Sequence, residues 1–77
     1  MRYVSFDLYS HGSEPAAHMA FRSAMKLLDH YSIPYSQTIE DVYFNEPPNK
    51  HRRTYYTVHK IFFYNEEDYL AYILIKD

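Results

Sequence analysis

Apolar and polar positions along this chain fall into one long helical period with strand-like alternation on either side of it. From residue 14 to residue 31, Ala17, Ala20, Phe21, Ala24, Leu27, Leu28 and Tyr31 recur at helical spacing and share one stripe, while Glu14, His18, Arg22, Lys26 and Asp29 fall elsewhere. The pattern predicts an amphipathic helix. Ser13 can cap it, Glu14 complements the positive end of its dipole, and Pro15 sits where a missing N–H costs nothing. Before it, residues 1–9 alternate as a strand, with Val4, Phe6 and Leu8 on one side and Tyr3, Ser5, Asp7 and Tyr9 on the other. Ser10-His11-Gly12-Ser13 breaks the alternation, and Gly12 is the natural place for a positive φ. Pro34 pushes Ile33 toward extended geometry and ends the helix.

Residues 35–44 (YSQTIEDVYF) are rich in β-branched and aromatic side chains and predict a second strand. Glu40-Asp41 interrupts the alternation and marks an edge position or a bulge. The polar stretch 45–53, with two prolines, is expected to be a loop. Residues 54–64 (TYYTVHKIFFY) form the strongest strand pattern: Tyr55, Thr57, His59, Ile61 and Phe63 on one side, Tyr56, Val58, Lys60, Phe62 and Tyr64 on the other. Both sides are apolar, so the pattern leaves open which one meets the helix. Asn65 and the acids Glu66, Glu67 and Asp68 have the composition of a helix start, ahead of the apolar run 69–76 (YLAYILIK). Two readings follow: a short helical turn over 65–71, or a hairpin loop, in either case leading into a fourth strand. A full second helix is set aside because a crossover needs about a dozen residues and about seven, 65–71, are available; of the two readings the short turn is preferred.

The expected architecture is a single α+β domain over residues 1–77. It has a four-stranded, mainly antiparallel sheet with one long helix on one face, in the order β-α-β-β-(short α)-β, a truncated ferredoxin-like arrangement. A chain of 77 residues buries only roughly 60–65% of its unfolded surface. With no cysteine, disulfides and zinc-thiolate sites are excluded, which fits a reducing compartment. The first ten residues resemble neither a signal peptide nor a membrane span, and the expectation is a cytoplasmic protein without membrane contact. A net charge of −2 lacks the global field of a general nucleic-acid binder.

Ten Tyr and five Phe are the anomaly of composition. Phenols pair an apolar ring with a polar tip and suit half-buried surfaces and interfaces. One long helix covers one face of a sheet, so the opposite face is expected to expose aromatics, with Tyr3, Tyr9, Tyr55, Tyr56 and Tyr64 as the candidate interaction surface. The alternative is a single-stranded RNA module that stacks bases on those rings, with Lys50, Arg52 and Arg53 of the loop as phosphate contacts. Against it, the glycine-and-aromatic submotif of RNA-recognition domains is missing.

No catalytic constellation emerges. Ser10 and His11 near Asp7 supply triad residue types without a nucleophile elbow, and a single glycine excludes phosphate-binding glycine loops. Glu66-Glu67-Asp68 reads as a helix cap rather than a glycosidase acid pair. The five histidines lack metal-ligand spacing, so neither a metal nor a cofactor is expected, and no small-molecule substrate is evident.

The C-terminal stretch FYNEEDYLAYILIKD resembles the C-terminal ends of many small uncharacterised proteins encoded by bacteriophages. The resemblance implies a host-cytoplasm setting and no particular activity. The functional expectation is a small non-enzymatic binding or regulatory protein that works through protein–protein contacts of an aromatic sheet face. Its partner would be a second copy or a host protein that it regulates or inhibits.

Overall fold

A computed structural model describes residues 2–43 and 55–76 of the chain. The elements run β1 (Tyr3–Phe6), α1 (Leu8–His11), α2 (Glu14–His30), β2 (Tyr35–Tyr43), β3 (Tyr55–Phe63) and α3 (Glu66–Ile75). The three strands form one antiparallel sheet in the order β1-β3-β2. β1 and β2 are therefore parallel to each other with β3 inserted between them, and α2 makes the crossover, a split β-α-β unit. The expected loop over residues 45–53 lies outside the described residues.

The strand expected over 1–9 is shorter because Asp7 diverts the chain. Its carboxylate accepts the backbone N–H groups of Tyr9 and Ser10, at 2.9 Å each, and the Ser10 hydroxyl accepts the Asp7 N–H at 3.3 Å. This reciprocal capping box starts α1 one residue after β1 ends. Gly12, at φ 86°, then reverses the chain as expected. Ser13 accepts the Ala16 N–H at 3.1 Å and starts α2.

α2 buries Ala17, Phe21, Ala24 and Leu28, with Ala20 and Leu27 packed at the margin. Tyr31, placed on the same stripe by the sequence, is instead 53% exposed, because the helix ends there. Ser32 turns left-handed at φ 57°; its N–H donates to the Asp29 carbonyl, and the Ile33 N–H donates to the Leu28 carbonyl. These are the paired bonds of a Schellman ending, and they bring Ile33 onto the core.

The C-terminal segment corrects the expected architecture. Residues 66–75 form a single helix, and among the described residues the sheet has three strands rather than four. Asn65 accepts the Asp68 N–H at 2.8 Å, and three acids fill the first turn. Past that start the run is apolar throughout, a composition that a strand and a buried helix share. Packing decides between them: the Tyr69 and Tyr72 rings lie 5.7 and 5.5 Å from the Phe63 ring, and Ile73 joins them at the core. A strand could not turn all three to one side. Asn65→Ala should lower stability by about 1 kcal/mol through loss of the cap, read as a shift in the urea midpoint at unchanged slope.

α2 and α3 thus share one face of the sheet. Ile61 and Phe63 of β3, Phe6 of β1, Phe21 and Leu28 of α2 and Tyr72 of α3 form one buried cluster. This settles which side of β3 faces the helices: it is the side of His59, Ile61 and Phe63.

Candidate interaction face

The other side of the sheet carries Tyr3 and Ser5 from β1, Ser36, Thr38, Glu40 and Val42 from β2, and Tyr56, Val58, Lys60 and Phe62 from β3, as the strand registers require. Tyr3 and Phe62 are in register, with ring centroids 5.3 Å apart. Lys60 lies between two partners: its ammonium is 3.0 Å from the Glu40 carboxylate and 5.1 Å from the centre of the Tyr3 ring. At the far end, Tyr9 of α1 meets Tyr56 edge-on at 5.0 Å. Tyr3 is 50% and Tyr9 62% exposed, so each ring meets its partner on β3 and still presents area to solvent.

Of the five tyrosines expected on one surface, Tyr3 and Tyr56 lie on this face at opposite ends, and Tyr9 joins Tyr56 from α1. Tyr55 lies on the helix side, in register with Tyr43 and 5.6 Å from its ring. Tyr64 lies beyond the end of β3, where it lines a cleft of about 440 Å³ with Arg2, Phe63, Asn65 and Glu66. Lys50, Arg52 and Arg53 are outside the described residues. Phe62 and Lys60 belong to the face but not to the expected set; their parity with Tyr56 along β3 was the signal that places them there.

A second cluster lies where the first turns of α2 meet β3. Glu14, Pro15, Ala17, His18, Thr57 and His59 line a cleft of about 380 Å³. β1 stops at Phe6, so the Thr57 N–H on that side of β3 has no strand to pair with and donates to the Glu14 carboxylate at 3.3 Å. His59 is 9% exposed, stacks on Phe21 at 4.7 Å, has the His18 ring at 5.4 Å, and its Nδ1 is buried without a hydrogen-bond partner. No group of three metal-ligating side chains occurs among the described residues.

Burial pushes the His59 pKa below its usual value, the nearby His18 adds to this, and Glu14 opposes it. Between the ordinary value of about 6.5 and the lower folded value, the unfolded chain binds more protons than the folded one, so stability falls as pH drops through that window. Melting temperature should decline below about pH 6.5. His59→Phe, which keeps the stack on Phe21, should flatten that part of the profile.

No family model, curated protein or solved structure matches this chain. Among the described residues no helix is long and apolar enough to cross a membrane. The functional reading therefore rests on the geometry of the faces and clefts.

Proposed function

We propose that the chain is a non-enzymatic binding protein whose open sheet face docks on a protein partner. The observation that carries this reading is the one-sided placement of α2 and α3, which leaves the Tyr3–Phe62 pair at one end of the opposite side and the Tyr9–Tyr56 pair at the other, with Val58 buried beside Tyr56. The exposed Tyr3 and Tyr9 rings, held by the more buried Phe62 and Tyr56, offer contact area at little cost in side-chain entropy, the property that enriches tyrosine at interfaces. The electrostatics of the face favour a protein over an RNA. Lys60, its cation among the described residues, is engaged by Glu40, and a nucleic-acid backbone would have to displace that carboxylate. Regulation or inhibition of a host protein is the biological role that the phage-like C-terminal stretch suggests.

Affinity capture from nuclease-treated extract tests the proposal. The wild-type chain should retain a protein that withstands high salt, and a Tyr3→Ala/Phe62→Ala chain with an unchanged circular-dichroism spectrum should lose it. Retention that disappears with nuclease, or that the double substitution leaves intact, would contradict it.

A further inference from the structure

Among the described residues β2 is an edge strand of nine residues. Edges of this length are usually blunted by a proline, by charged side chains, above all lysine, or by a bulge; the charges of β2 are Glu40, paired with Lys60, and Asp41. β2 has neither proline nor lysine, and its register with β3 runs without a break from Tyr35↔Phe63 to Tyr43↔Tyr55. The bulge that Glu40-Asp41 allowed is absent, and the edge position is realised.

The direction of its backbone groups follows from β3. The Phe63 N–H donates to the Arg2 carbonyl at 2.9 Å, on the β1 side, so the odd-numbered residues of β3 bond toward β1 and the even-numbered ones toward β2. Their register partners Ser36, Thr38, Glu40 and Val42 are then the β2 residues that bond inward. Tyr35, Gln37, Ile39, Asp41 and Tyr43 point their N–H and C=O groups outward. Ile39 stands at the middle of the strand, 64% exposed, and α2 lies over β1 and β3.

We infer that β2 pairs with β2 of a second copy, antiparallel about a twofold axis at Ile39, to make one continuous six-stranded sheet. Centred there, Ile39 meets Ile39, Gln37 meets Asp41, Thr38 meets Glu40, and Tyr35 meets Tyr43. No like charges oppose each other, an aromatic pair closes each end, and every outward N–H and C=O of the strand gains a partner. A centre at Glu40 or Asp41 would set two carboxylates face to face, and a centre at Gln37 would leave residues 40–43 unpaired. A centre at Thr38 avoids that clash but leaves Val42 and Tyr43 without partners, so the register centred on Ile39 is the one that pairs the whole strand. The dimer leaves the open face uncovered and places two copies of it side by side, so it stands independently of the proposed docking role.

Sedimentation at about 100 μM, a concentration that populates even weak dimers, should show a dimer of the wild-type chain. Ile39→Pro removes only an outward N–H, a change edge strands tolerate, and Ile39→Lys sets two ammonium groups on the axis. Each should weaken the dimer by about tenfold or more while the melting curve confirms folding. Because the chain has no cysteine, Ile39→Cys offers a single thiol at a Cα separation of about 5.5 Å across the axis, within disulfide reach, and should oxidise to a covalent dimer where Glu40→Cys does not. Tyr3→Ala/Phe62→Ala should leave the dimer intact. A monomeric wild-type chain, or a dimer that resists Ile39→Lys but is lost with the open-face substitutions, would overturn the inference.

Discussion

Phe63→Ala is expected to lower the unfolding free energy by roughly 3–5 kcal/mol, the cost of emptying a fully enclosed aromatic site. Phe63 has no exposed surface, and it is where three elements converge: its ring faces Tyr69 and Tyr72 of α3, and its strand position pairs with Tyr35 of β2. A domain of this length has a total stability of about 4–12 kcal/mol. The loss therefore brings the chain near its unfolding limit, and α3 should be released first, since its buried contacts centre on that ring. Urea titration followed by circular dichroism measures the loss, and amide exchange over residues 66–75 reports the release. A loss below about 1 kcal/mol would place α3 elsewhere.

Leu28→Ala carries the second large effect, roughly 2–5 kcal/mol, whereas Arg22→Ala on the outer face of the same helix should cost about 0.5 kcal/mol or less. Leu28 is fully enclosed within the shared cluster, while Arg22 is exposed. Its side chain lies one turn from the Schellman ending that brings Ile33 into the core, so little collapse of the surroundings is available to offset the lost volume. Paired thermal melts decide the point. Equal losses would mean that the helix presents a different side to the sheet.

The long helix and the central strand were legible in the sequence because their periods persist over many residues, and position 31 was misread only because the stripe outlasts the helix by one residue. The N-terminal strand was overextended for a specific reason. Val4, Phe6 and Leu8 continue a strand pattern, but Asp7 and Ser10 stand three apart and satisfy each other's backbone groups, a local signal that overrides the alternation. At the C-terminus, Asn65 and the three acids announced a helix, and the apolar run after them carried no period to say how far it goes. Tyr69, Tyr72 and Ile73 resolve it only through contact with Phe63, which lies in a different element.

The candidate face was legible in part for a related reason. Parity along β3 assigns Tyr56, Lys60 and Phe62 to one side as soon as the opposite side is known to meet the helices, and that knowledge is tertiary. Tyr55 was grouped with Tyr56 by residue type, although neighbours on a strand point apart. The cleft at Glu14, His18 and His59 had no local signature, because it exists only where β1 stops short and the first turn of α2 takes its place beside β3.

The most direct test of the docking role is an amide spectrum of isotope-labelled chain mixed with the protein it retains from nuclease-treated extract. Shifts and broadening should concentrate on Tyr3, Ser5, Tyr56, Lys60 and Phe62, and spare Arg22 and Lys26 on the outer side of α2. Perturbation centred on Leu70 and Leu74 of α3, which are also exposed, or confined to Lys50, Arg52 and Arg53 on addition of single-stranded RNA, would contradict the account.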